Sequence, residues 1–219
     1  MKTWHLTAVA VLAMVAAAQP ARAADPWQAR LSATWTDTDL GFDLINGTGE
    51  PIHFAGGDSL GLSLGLERRF SDLLGIEVAI DASRPDTRLT IDSAAYGRVV
   101  ATDQLNLFTV RAGINFHILA DGPVDLYLGP TVAWLSTPGH LSLTARVDST
   151  SETLKVRAGN GFGWGGTAGA DIDLGEGWTV AASYTYLKAD LDFSPEDEPD
   201  AASLGLDPST LRLGVGVRF

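Results

Sequence analysis

The chain has 219 residues, 45% of them apolar and 19% charged, with 24 Gly, 10 Pro and no Cys. That is one domain's worth of chain, without a disulfide scaffold, a thiolate metal site or a Cys nucleophile. Its 27 acidic against 15 basic side chains, a formal charge of −12, oppose binding to nucleic-acid phosphates, and so much Gly at this hydrophobicity favours an all-β protein over a helical bundle or a disordered tail.

Lys2 and His5 precede an apolar run from Ala8 to Ala18, followed by the small-x-small pattern Ala21-Arg22-Ala23. This is the pattern of a secretory signal peptide over residues 1–23, expected to be removed. The run is too short to span a bilayer, which takes about 20 residues; a lone anchor helix is the alternative. The remaining residues, 24–219, form the expected mature domain.

Past Ala24, period-two alternation returns in segments of about ten residues, the length of a tilted membrane strand. Trp27, Ala29, Leu31, Ala33 and Trp35 share one face, and Gln28, Arg30, Ser32 and Thr34 the other. Leu60, Leu62, Leu64 and Leu66 oppose Gly61, Ser63, Gly65 and Glu67, and Ile76, Val78, Ile80 and Ala82 oppose Glu77, Ala79, Asp81 and Ser83. Phe108 to Phe116 alternates with Thr109 to His117, and Leu126, Leu128, Val132 and Trp134 with Tyr127, Gly129, Thr131 and Ala133. Trp164, Ala168, Ala170 and Ile172 oppose Thr167, Gly169, Asp171 and Asp173; Trp178 to Tyr186 alternates with Thr179 to Thr185; and Leu211 to Phe219 alternates with Thr210 to Arg218.

Eight segments is an even number, as an outer-membrane barrel requires, although a soluble sandwich shows the same alternation. Two further patterns favour the membrane. Connections alternate between short, near residues 71–75, 119–124 and 175–177, and long, near 37–58, 84–103, 136–160 and 191–208, the asymmetry of periplasmic turns and extracellular loops. The outward aromatics fall in two girdles: Trp27, Phe70, Phe116, Trp178 and Phe219 at the short-turn end, and Trp35, Phe108, Trp134, Phe162, Trp164, Tyr184 and Tyr186 at the other. The expected fold is therefore an eight-stranded antiparallel transmembrane β-barrel. Pro130 cannot donate to a ladder, which predicts a bulge.

The residues now resemble the outer membrane protein W family, over nearly the whole mature chain from Asp25-Pro26-Trp27 to Phe219. Leu64-Gly65-Leu66, the turn and Gly-Ile-Glu of Asp72 to Glu77, Tyr127-Leu-Gly129, Gly169-Ala-Asp171, Leu206-Asp207-Pro208 and the closing Gly214-Val-Gly216-Val-Arg218-Phe219 carry the likeness. After the Asp-Pro pair, where the family tends to place an aromatic, stand Ser209 and Thr210. The resemblance implies an eight-stranded barrel that passes small hydrophobic molecules through the outer membrane of a Gram-negative cell. It also places Leu64 and Phe162 near apolar gating positions. The C-terminal strand ending in Phe219 implies a signal to the barrel-assembly machinery, and outer-membrane lipids and lipopolysaccharide are the expected surroundings.

The predicted lumen fits that reading in two parts. Inward positions at the centre and periplasmic half carry Arg30, Glu67, Arg69, Glu77, Asp81, Arg111, His117, Asp171, Arg212 and Arg218. In a barrel of eight strands such charges should pair and plug the base. Toward the extracellular end the inward phase turns apolar at Leu105, Leu107, Leu135 and Leu187, an apolar mouth from which solutes could leave sideways between strands. The alternatives are that these leucines pack the upper barrel, and that the protein is a closed structural, adhesive or receptor barrel.

Other chemistry is weaker. Gly161, Gly163 and Gly166 fit G-x-G-x-x-G but open no helix, so the dinucleotide reading fails its context. His140, Ser142 and Glu152 match in kind the residues of a lipid A deacylase, a remote alternative; the expectation is no enzyme and no cofactor. The acidic run Asp190, Asp192, Glu196, Asp197, Glu198 and Asp200 reads as a solvated loop rather than a Ca²⁺ site, and His53 and His117 are too isolated to suggest a metal.

Overall fold

Alternating side chains on an extended backbone point to opposite faces, and every alternating segment forms a strand in the computed structural model. The structure describes residues 27–39, 41–45, 51–93, 97–104, 106–119, 122–138, 140–147, 150–195 and 202–219. The expected signal peptide and Leu105 lie outside them.

Among the described residues there are thirteen strands and no helix: β1 (Trp27–Asp39), β2 (Gly41–Ile45), β3 (Pro51–Gly56), β4 (Asp58–Ser71), β5 (Leu74–Ser83), β6 (Asp86–Ser93), β7 (Gly97–Gln104), β8 (Leu107–His117), β9 (Val124–Ser136), β10 (His140–Val147), β11 (Thr150–Gly175), β12 (Trp178–Pro195) and β13 (Ala202–Arg218). Eight of them, in the order β1-β4-β5-β8-β9-β11-β12-β13, pair antiparallel with their neighbours, and β13 returns to β1. The closing rung joins the first and last described residues: Trp27 N–H donates to the Phe219 carbonyl at 3.2 Å, and Phe219 N–H to that of Trp27 at 2.9 Å.

Burial is inverted relative to a water-soluble protein. Leu60 is 80% exposed and Trp164 64%, whereas Glu67 and Asp171 are 0% exposed. A soluble sandwich would bury the leucines and solvate the carboxylates, so this inversion excludes it. The outer band of Leu, Ile and Val lies between the two aromatic girdles, and the polar residues fill the interior.

The short connections are turns. Asp72–Leu73 joins β4 to β5, and Glu176–Gly177 joins β11 to β12. In the latter, Gly175, Glu176 and Gly177 all have positive φ, at 88°, 55° and 82°; the flanking glycines let Glu176 adopt a conformation that L side chains disfavour.

At the opposite end lie the expected long connections. The long connections continue as strands: β2, β3, β6 and β7 form a separate four-stranded sheet, and β10 pairs with the first part of β11, with β7 lying against it. β12 and β13 stay paired out to Phe193 and Ala202. Backbone pairing needs no apolar face, and β2 and β7 carry no sustained alternation, although β10 sets Leu141, Leu143, Ala145 and Val147 against Ser142, Thr144 and Arg146.

Pro130 corrects an expectation, because no bulge forms there. The β8–β9 register runs from Phe108–Ser136 to Gly113–Thr131, omits two rungs and resumes in the same register at Phe116–Leu128. The β9–β11 ladder passes through Pro130–Gly166 without interruption. The missing N–H removes rungs toward β8 but inserts no residue. Register shifts occur instead between Ala158 and Gly161, between Asp173 and Gly175, and between Arg69 and Ser71.

Candidate functional site

The interior is filled in three tiers, each set by the residue type on the inward phase. The lowest begins with Arg30 of β1. Its Nη2 lies 2.5 Å from Asp171 Oδ2 and 2.6 Å from Glu67 Oε2, its Nη1 2.9 Å from Glu77 Oε2, and its Nε donates to Asp171 Oδ1 at 3.2 Å. One guanidinium thus ties together β1, β4, β5 and β11. Gln28 completes the group by donating to Asp171 at 3.2 Å and accepting from Arg30 at 3.1 Å.

Next to it, Arg111 Nη1 meets Glu77 at 2.6 Å, and Arg212 grips both oxygens of Asp81 at 2.6 and 3.1 Å. Toward the short-turn end, His117 is enclosed between two carboxylates, with Nε2 2.7 Å from Glu67 and Nδ1 3.0 Å from Asp125. Arg69 pairs with Asp125, and Arg218 reaches Asp125 at 3.8 Å and Asp173 at 3.2 Å. The Arg30 guanidinium also stands 5.1 Å from the Tyr127 ring centre. Five arginines therefore face the buried carboxylates of Glu67, Glu77, Asp81, Asp125 and Asp171, the balance such a desolvated network needs. The void enclosed by Arg30, Arg111, Arg212 and Tyr127 is about 10 Å³, room for roughly one water.

The middle tier is threonine. Thr131 and Thr167 hydroxyls are 2.9 Å apart, Thr167 and Thr185 2.8 Å, and Arg212 donates to Thr185 at 2.7 Å. Thr36 and Thr210 make a similar contact at 3.2 Å. Above them Leu107, Leu135, Leu187, Leu191 and Leu206 pack with Ala133 and Ala189 in one buried cluster.

Arg30, Glu67, Arg69, Glu77, Asp81, Arg111, Asp171 and Arg212 are thus in one network, and Leu107, Leu135 and Leu187 in one cluster. Leu64 and Phe162 are corrected: both lie on the outward phase, Phe162 60% exposed, because inward positions on their strands fall to Ser63 and Gly65 and to Gly161 and Gly163. Any gating role inside the lumen is excluded for them by that phase. Asp125 and Gln28 enter the network without having been singled out as site residues. Asp125 stands two residues before Tyr127, on the same inward phase, and extending the fifth alternating segment by one residue would have found it.

The remaining candidates are not drawn together. The β10–β11 register sets Ser142 opposite Lys155 and Glu152 opposite Ala145, three rungs away. Asp190 is exposed, and Glu196, Asp197, Glu198 and Asp200 lie outside the described residues.

Comparison with known proteins agrees with this architecture. The family model described as "Outer membrane protein beta-barrel domain" matches residues 7–219. No curated protein sequence matches significantly. Among solved structures, OprG from Pseudomonas aeruginosa is similar with a TM-score of 0.62 at 13% identity, over 91% of this chain and 98% of that one. AlkL, solved in lipid bilayers, gives 0.55 at 17% identity over 91% and 94%, and Neisserial surface protein A gives 0.51 at 13% over 89% and 97%. At the level of fold, the expected likeness to the outer membrane protein W family is borne out. A lumen packed with ion pairs inside an apolar outer wall is what a barrel of eight strands needs in a bilayer, and this chain belongs to the outer membrane protein β-barrel domain family, as a protein of the outer membrane.

Proposed function

We propose that the barrel takes up small hydrophobic solutes at its extracellular end and releases them sideways into the membrane, while its base stays sealed to water and ions. The supporting observation is the stacking of an apolar cluster, Leu107, Leu135, Leu187, Leu191 and Leu206, on a buried ion-pair network in the same lumen. An apolar solute that enters among those leucines meets buried charge below, so the axial route is closed to it.

Uptake of an apolar fluorophore by liposomes containing the barrel, together with single-channel conductance, tests this reading. Uptake with negligible ion conductance is expected, and Leu107→Asp with Leu135→Asp should abolish it in a folded barrel. Unchanged uptake in that variant would overturn the proposal. A second reading, a closed barrel anchoring its extracellular strands for adhesion or lipopolysaccharide contact, is favoured by the 0% exposure of Leu135, Leu191 and Leu206. That reading expects no uptake by the wild type. In either case the C-terminal strand ending in Phe219 is proposed as the segment read by the assembly machinery.

A further inference from the structure

Six arginines lie on the membrane-spanning parts of the barrel strands, and five of them point inward to carboxylates. The sixth, Arg68, points outward. It interrupts the lipid-facing stripe Leu60, Leu62, Leu64, Leu66 of β4 two residues before Phe70, and it is exposed. Its register partner on β1 is Trp27, the first residue of that strand.

The guanidinium is not loose at this surface. Its central carbon stands 5.3 Å from the Trp27 ring centre and 5.2 Å from that of Phe70. These rings belong to the short-turn girdle and put Arg68 at the level of the periplasmic headgroups. Among the described residues no carboxylate pairs with Arg68. An outward charge on a barrel wall costs up to about 2–4 kcal/mol at the bilayer midplane and far less near the interface. Cation–π contact on two sides fixes the fork without satisfying its five N–H donors. The complementary group at that depth is a phosphodiester, which a guanidinium binds through two parallel hydrogen bonds.

We infer that Trp27, Arg68 and Phe70 form a headgroup site for one glycerophospholipid of the periplasmic leaflet, with Arg68 holding the phosphate and the two rings orienting it. The site is independent of the lumen and of any solute it carries.

The test is titration of the full barrel, in dodecyl maltoside, with dihexanoyl phosphatidylglycerol, read by native mass spectrometry and tryptophan fluorescence. One saturable site per barrel is expected. Arg68→Gln should weaken it at least tenfold. Arg68→Lys should also weaken it, since an ammonium lacks the planar fork and stacks poorly. A second variant, Trp27→Leu with Phe70→Leu, keeps the cation and should likewise lower affinity. A phosphate-free diacylglycerol glycoside of the same chains should not bind there, and inorganic phosphate should not compete. Absence of saturable binding, wild-type affinity in folded Arg68→Gln, or equal binding of the phosphate-free lipid would overturn the assignment.

Discussion

Arg30 Nη2 and Asp171 Oδ2 stand 2.5 Å apart although 141 residues separate them in sequence. The pair spans the inside of the barrel, from β1 to β11, two strands that are not hydrogen-bonded to each other. It is a cross-brace, and its removal would leave Glu67, Glu77 and Asp171 as buried carboxylates lacking their shared cation. Arg30→Met is expected to destabilise the barrel by about 3–5 kcal/mol, the usual cost of an orphaned buried charge. Urea unfolding in phosphocholine bilayers measures it. Adding Asp171→Asn should recover part of the loss; a null effect of Arg30→Met would mean the brace carries no net stability.

Leu135 is wholly buried among Leu107, Leu187 and Leu191. Truncation to Ala should cost about 2–5 kcal/mol if the cluster is packed like a protein core. A loss near zero in the same unfolding assay would show that the upper lumen is loosely filled and already open to solutes.

Two glycines make a matched pair. A methyl group on Gly214 would overlap the carbonyl oxygen of Leu31 and the side chain of Ser32, at the β1–β13 closure, whereas one on Gly205 would meet nothing within 4 Å. Gly214→Ala should therefore cost about 1–3 kcal/mol through backbone displacement, and Gly205→Ala close to nothing. Equal thermal shifts for the two variants would contradict the tight approach at the closing seam.

Pro130 predicts a further asymmetry. Pro130→Val supplies the missing N–H and should restore β8–β9 rungs, with a gain of about 1 kcal/mol per hydrogen bond. Hydrogen exchange at the amides of β8 and β9 reports it. Unchanged exchange at those amides would show that the missing donor is not what interrupts the ladder.

The barrel itself was legible because a lipid-facing wall must alternate: Leu60 to Leu66 and Phe108 to Phe116 could take no other phase in a bilayer. The inward charges followed from the same phase. Beyond the membrane that requirement lapses: β2 and β7 carry no sustained alternation, whereas β10, with Leu141, Leu143, Ala145 and Val147 on one phase, alternates as a barrel strand does. Leu64 and Phe162 take the outward phase of their own strands, opposite to the face the family resemblance implies for them. Pro130 shows a different limit, since the lack of a donor was plain in the sequence but whether the chain bulges or simply skips rungs depends on how β8 and β11 hold it. Arg68 was readable as a break in an apolar stripe, yet its two flanking rings come from different strands, and only pairing of β1 with β4 brings them together.

The rung between Trp27 and Phe219 carries a kinetic meaning. With the first and last strands as neighbours, a nascent barrel lacking its final strand exposes two open edges, whose backbone groups find no partner in hydrocarbon. No stable seven-stranded precursor is available inside the bilayer, so insertion and the capture of the last strand must be nearly simultaneous. Truncation by even a few C-terminal residues should consequently act on yield in the membrane far more than on the stability of whatever barrel is recovered.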